Sequence, residues 1–317
     1  MKSSEYVVLK LEGGLGNQLF QLAAGYYLAA KMNANLLIDQ YAVPLTTAHG
    51  EKKNQLESFS IELLTDDCEI IYMSKLPKRF FAILAKHSWL LKRMLLKFRM
   101  LSNDFLNLPI FIEASENTVE PCIYTISFPV KLHGNFQSWD IVERASEFGF
   151  PRILQLRDKP FWISKLEDEI HFKESIVLHF RVGADAQANL SFRQPEFTYY
   201  LRGLEILKER KADRATYILS DNVKQVKEMF GLQLGGEVNY LEMPMHASPA
   251  ERLYVLSLFG GIVCANSTFC GWAAWSIYNS GGDVVVPVPY SDGPVLGSRD
   301  FPSKWVQLNK YSGAVIQ

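Results

Sequence analysis

Short apolar runs alternate with longer stretches of helical period along most of the chain. Residues 6–11 (Tyr-Val-Val-Leu-Lys-Leu) read as a strand, 13–16 as a tight loop and 18–32 as a helix. A second short strand at 35–39 completes an opening βαβ unit. The same grammar returns at 175–180, a strand, followed by a helix over 195–211 with Pro195 at its first position. A strand at 216–219 and a helix near 223–230 come next. Ser248-Pro249-Ala250-Glu251 reads as a capping box opening a helix to residue 259, where Gly260-Gly261 ends it. A strand at 262–265, a helix at 269–278 and a strand at 284–288 follow. Strands alternating with helices predict an α/β protein with parallel sheets, two of them. The expected division falls near 152–173, giving domains over 1–155 and 156–317.

One segment breaks the rhythm. No acidic residue occurs between Glu69 and Asp104, while Lys75, Lys78, Arg79, Lys86, Lys92 and Arg93 alternate with Phe80, Phe81, Trp89 and Leu90. This basic amphipathic insertion, 75–99, has two readings. It can lie on an anionic membrane surface, or it can pack its apolar face on the first domain and leave its basic face in water.

Composition narrows the class. At 317 residues, 48% hydrophobic and 21% charged, the chain reads as a soluble globular protein. A formal charge of −1 gives no global field for nucleic acid. The first apolar run is too short for a signal-peptide core, and no uncharged stretch approaches the roughly 20 residues that span a bilayer. Cys68, Cys122, Cys264 and Cys270 lack CxxC spacing and read as reduced structural thiols. A cytoplasmic protein is expected, with peripheral contact to the inner membrane surface through 75–99.

Candidate chemistry clusters where strands end. Gly13-Gly14-Leu15-Gly16-Asn17-Gln18 sits between a strand and a helix, where glycines allow a sharp turn and close approach to a ligand. A dinucleotide fingerprint fails at its third position, occupied by Leu19, although Asp39 ends the second strand where a ribose ligand is expected. His179-Phe180-Arg181 ends another strand, and a guanidinium leaving that end has the fixed donor fork that suits a diphosphate. Asn266-Ser267-Thr268 precedes a helix, as an anion site or a plain N-cap. Ser220-Asp221-Asn222 follows a strand, placing a carboxylate within reach of a ribose or a base. No DxD, HxxxH or CxxC run supplies a metal site, and Glu167-Asp168-Glu169 reads as the solvated face of a linker helix.

Together these segments resemble the α-1,2-fucosyltransferases of glycosyltransferase family 11. Glu12-Gly13-Gly14-Leu15-Gly16-Asn17-Gln18-Leu19-Phe20-Gln21 is similar to that family's opening motif. His133-Gly134-Asn135-Phe136-Gln137-Ser138 is similar to its second motif, Ser220-Asp221-Asn222 to its third, and the run from Ala265 to Trp275 to its asparagine–serine and tryptophan signature. Lys304-Trp305 has a counterpart in the tail.

The resemblance implies a GT-B-like fold, two Rossmann-like domains facing a cleft. It also implies metal-independent, inverting transfer of fucose from GDP-fucose to the 2-hydroxyl of a β-galactoside, with no further cofactor. On that reading His179, Arg181, Ser220, Asp221, Asn266, Ser267 and Thr268 bind the donor, and Gly14, Gly16, Gln18, His133 and Gln137 form the acceptor side. Arg181 and Asn17 carry catalysis, with Asp185, Glu12 and His133 as candidate bases. The acceptor is a galactose-containing oligosaccharide or glycolipid. Val182 stands where the family commonly has a second arginine, and Ala184-Asp185 displaces its aspartate by one position. Another nucleotide-sugar donor, an inactive nucleotide- or carbohydrate-binding relative, and an NAD enzyme are the alternatives.

Overall fold

A computed structural model describes residues 6–39, 56–60, 70–72, 110–112, 130–183, 193–234, 238–290 and 301–316. The basic insertion 75–99, Cys68, Cys122, Ala184 and Asp185 lie outside the described residues. Among those described, no helix is long and apolar enough to cross a membrane.

Two parallel sheets carry the structure. The first holds β1 (Tyr6–Lys10), β2 (Asn35–Asp39), β3 (Ile70–Tyr72), β4 (Ile110–Ile112) and β5 (Val130–His133), in the order β3-β2-β1-β5-β4. The second holds β6 (Ser175–Phe180), β7 (Ala215–Ser220), β8 (Val238–Tyr240), β9 (Gly261–Val263), β10 (Asp283–Val288) and β11 (Val306–Asn309). Its order is β11-β10-β9-β6-β7-β8, which is the Rossmann winding, strands running outward in both directions from β6 and β9. Every pairing in both sheets is parallel. The winding reverses between β1 and β5 in one sheet and between β6 and β9 in the other. Ligands of open α/β sheets bind in the crevice beyond the strand ends at such points.

Helix α1 (Leu15–Lys31) is buried on nearly every side, because its sequence is apolar around the whole circumference. Helix α2 (Trp139–Glu147), capped by the Ser138 hydroxyl, packs beside it. Helix α3 (Phe161–Glu169) carries the acidic run as the linker helix expected, with Glu167 paired to Lys159. Helices α4 (Phe197–Arg210), α5 (Val223–Leu234), α6 (Pro249–Ser257) and α7 (Thr268–Asn279) flank the second sheet.

The capping box at Ser248 is present, with Glu251 N–H donating to the Ser248 hydroxyl at 3.2 Å and Ser248 N–H to the Glu251 carboxylate at 2.9 Å. Several boundaries differ from the sequence reading, and two of the differences have a visible cause. Helix α4 starts at Phe197 rather than Pro195, because the Glu196 amide donates to the Lys310 carbonyl and holds the backbone extended. Helix α6 stops at Ser257, and Gly260 then passes so close to the Lys173 carbonyl that a Cβ would lie 2.0 Å from it.

An aromatic cluster joins the halves. Trp139 of α2 stacks on Trp275 of α7 with centroids 5.7 Å apart and meets Trp272 at 5.4 Å and Trp305 at 5.1 Å. Phe20 of α1 meets Trp272 at 5.0 Å. Such pairs contribute about 0.5–1.5 kcal/mol each beyond area burial, so the contact between the halves is apolar and substantial.

Removing the capping box with Ser248→Ala should lower stability by about 1 kcal/mol. Thermal unfolding measures it, and an unchanged melting temperature would show that the cap contributes nothing here.

Candidate functional site

The site forms where the two winding reversals face each other. Residues following β1 make a turn in which Gly13 has φ +74°, a conformation that favours glycine. Buried Gln18 closes the turn by donating to the Gly13 carbonyl at 3.2 Å, and the Gln21 side-chain oxygen accepts from Glu12 N–H at 2.9 Å. These two glutamines therefore shape the loop from beneath. Gly16 has a different duty. A Cβ there would lie 2.6 Å from the backbone of Thr268 and Phe269, so only glycine lets α1 approach the first turn of α7. Trp272 Nε1 donates to the Gly16 carbonyl at 2.9 Å across the same contact.

Asn17 joins three segments. Its side-chain oxygen accepts from Thr268 Oγ1 at 3.0 Å and from Gln137 Nε2 at 3.1 Å. Gln137 is aimed there by Phe136, a buried residue at φ +49°, which bends the chain between β5 and α2. Strain of this kind persists only where packing over-determines it. His133 ends β5 immediately before this bend.

On the second sheet, Arg181 leaves the end of β6 and Ser267 caps α7, its hydroxyl accepting from Cys270 N–H at 3.1 Å. Asp221, beyond β7, accepts from the backbone N–H of Val182 at 2.8 Å and of Gly183 at 3.0 Å. Ser220 Oγ donates to the same carboxylate at 3.1 Å. One carboxylate thus pins the chain on the C-terminal side of Arg181 and fixes where that arginine starts.

His179 is buried, stacked on Phe269 at 6.2 Å between centroids, and touches Cys270. Burial raises the Cys264 thiol. For Cys270 burial acts in the same direction, and the Cys264 thiol together with His179 outweighs it, lowering Cys270 to about 6.

Gly14, Gly16, Asn17, Gln137, His179, Arg181, Ser220, Asp221, Ser267 and Thr268 all line one open cleft of about 760 Å³. Asn266 lies buried beneath it and donates to the Arg193 carbonyl at 3.4 Å. Glu12 is paired with Lys10. Among the described residues no three His, Cys, Asp or Glu side chains gather to hold a metal.

Two lining residues escaped the sequence reading. Arg252, on α6, reaches the cleft while donating to the Ala247 and Pro244 carbonyls at 3.0 and 2.9 Å. A second guanidinium therefore accompanies Arg181, where the sequence suggested one alone. Tyr290, just past β10, sits against the Thr268 backbone and within the field of Arg181. Burial holds its phenol well above the ordinary tyrosine range, Arg181 opposing, so it remains a neutral hydroxyl. Reading the end of β10 as the other strand ends were read would have found it. A nucleoside diphosphate fits this arrangement: donors from a helix N-terminus and a fixed arginine at the centre, and a polar floor on the β7 side.

No protein-family model matches the chain. It is 26% identical over 316 residues to an alpha-1,2-colitosyltransferase of Escherichia coli, covering 96% of this chain and 99% of that protein. It is 23% identical over 301 residues to the O-antigen biosynthesis glycosyltransferase WbnK of Escherichia coli, covering 88% and 92%. It is a glycosyltransferase. Among solved structures, the fucosyltransferase NodZ from Bradyrhizobium is 13% identical with a TM-score of 0.47, over 86% of this chain and 93% of that one. The GT-B-like fold of this transferase is read from its own two sheets and the cleft between them.

Adding one methyl at the close contact, Gly16→Ala, should destabilise the transferase by about 1–3 kcal/mol. A melting temperature within error of the unchanged protein would mean that α1 and α7 are free to separate there. Replacing the loop-holding carboxylate, Asp221→Asn, should destabilise the protein by about 1.5–3 kcal/mol, the size of one charge-assisted hydrogen bond. Thermal unfolding reads this, and an unchanged melting temperature would mean that Asp221 does not hold the chain after Arg181.

Proposed function

We propose that the protein transfers L-fucose from GDP-fucose to the 2-hydroxyl of a β-galactoside, with inversion and without a metal ion. The observation that carries this reading is the single cleft in which Arg181, the capped end of α7 and the glycine turn of the first sheet meet. The acceptor oxygen forms a bond to the anomeric carbon as the bond from that carbon to the diphosphate oxygen breaks. Arg181 and the N–H groups of the α7 N-terminus take up the charge that develops on GDP, and the acceptor's proton passes to a base. His179 joins Arg181 in binding the nucleotide and its phosphates, and Ser267 and Thr268 meet the β-phosphate. Ser220 and Asp221 bound the nucleoside end, with Arg252 beside them. Gly14, Gly16 and Gln137 bound the sugar side. Asn17 keeps the two sides in register.

The alpha-1,2-colitosyltransferase similarity over nearly the full length of both chains supports an α-1,2 linkage and favours one second reading, a GDP-linked colitose donor. The O-antigen glycosyltransferase similarity supports an oligosaccharide acceptor. Peripheral attachment through 75–99 and a division of the chain into 1–155 and 156–317 belong to the same proposal.

Arg181→Ala should lower turnover with GDP-fucose at least 100-fold, on the order of what one preorganised donor to a developing oxyanion supplies. Near-normal turnover would refute the leaving-group role. In a thermal-shift panel of nucleotides, GDP should stabilise the protein equally with and without chelator. Stabilisation by NAD alone, or by GDP only when a divalent ion is present, would overturn the reading.

A further inference from the structure

Beside the cleft lies a second, smaller space of about 30 Å³. Its walls are the side chains of Phe20, Trp139, Val286 and Phe301, with Pro287 and Ala265 completing them. Gln137, Ser267, Thr268 and Tyr290 border both spaces, so the chamber adjoins the cleft. The space admits a small group, and its mostly carbon lining leaves a water there few partners.

The polarity of the cleft orients a donor with respect to this chamber. Ser220, Asp221 and Arg252, all from the second sheet's half, form one end and suit a nucleoside. Arg181 and the end of α7 form the centre and suit the diphosphate. The sugar then lies toward Asn17 and Gln137, where the first sheet contributes and where Gln137 borders the chamber. We infer that this chamber receives the deoxygenated carbon of the donor sugar, the C6 methyl of an L-galacto-configured 6-deoxyhexose. The inference rests on the GDP-sugar reading above and adds to it the residues that select the sugar. Phe20 and Trp139 form the floor from the first half, and Val286 and Phe301 close the chamber from the second. A 6-hydroxyl in the same place would exchange its water for a lining that is mostly carbon, with polar groups only where Gln137, Ser267, Thr268 and Tyr290 border it.

Affinities of the intact protein for GDP, GDP-L-fucose and GDP-L-galactose test this without an acceptor, since the two sugars differ only by the C6 hydroxyl. The unchanged protein should bind GDP-L-fucose at least roughly tenfold more tightly than GDP-L-galactose. Val286→Ala, which widens the chamber, should reduce that ratio to under about threefold while leaving the affinity for GDP itself unchanged. Phe301→Leu, at the half-buried rim, makes the same measurement should Val286→Ala not fold. Equal affinity of the unchanged protein for the two sugars would overturn the inference. So would an undiminished ratio in a variant that binds GDP normally. Absence of GDP binding in the unchanged protein would instead bring down the donor reading on which the inference rests.

Discussion

The first turn of α7 lies against the glycine turn after β1, with no room between them for a single methyl group. Gly16 permits the approach, and Trp272 secures it by donating to the Gly16 carbonyl. Thr268 and Gln137 converge on the side-chain oxygen of Asn17 at 3.0 and 3.1 Å. Everything else at the site inherits its position from that contact. Were the two helix ends to part, each sheet would still present a loop at its winding reversal, but the loops would no longer share a cleft.

The surrounding aromatic cluster gives this small polar contact its rigidity. Trp139 reaches across to Trp272, Trp275 and Trp305, so residues far apart in the sequence form one apolar wall. Hydrogen bonds such as those at Asn17 contribute only about 0.5–1.5 kcal/mol net each. They give direction to a contact that burial holds together. The same wall forms the floor of the chamber beside the cleft, so stability and the proposed donor selection draw on the same side chains.

Much of this is legible in the amino-acid sequence. The alternation of strand, loop and helix predicts parallel sheets, and the rule that ligands sit beyond strand ends picks out Gly14, Gly16, Arg181, Ser220, Asp221, Ser267 and Thr268, all of which line the cleft. Relations between distant segments are another matter. Nothing near Asn17 signals that Thr268 and Gln137 will donate to it. Asp221 presents a carboxylate at a strand end, yet its two oxygens hold the backbone after Arg181, a use that only the parallel pairing of β6 and β7 makes possible. Arg252 lies on a helix whose sequence announces a cap rather than a ligand. Helix α4 starts late because a carbonyl more than a hundred residues away claims the amide of Glu196. Local pattern reports local structure; sites assembled across two sheets depend on packing that the pattern does not encode.

Both winding reversals have loop geometry that can accept an anion, and the diphosphate is assigned here to the reversal of the second sheet. A crystal structure of the protein with GDP bound decides between them directly. The β-phosphate should lie between the Arg181 guanidinium and the first backbone amides of α7, with the nucleoside extending toward Asp221 and Arg252. A diphosphate seated instead on the glycine turn at Gly13 and Gly14, with Arg181 out of reach, would contradict that assignment.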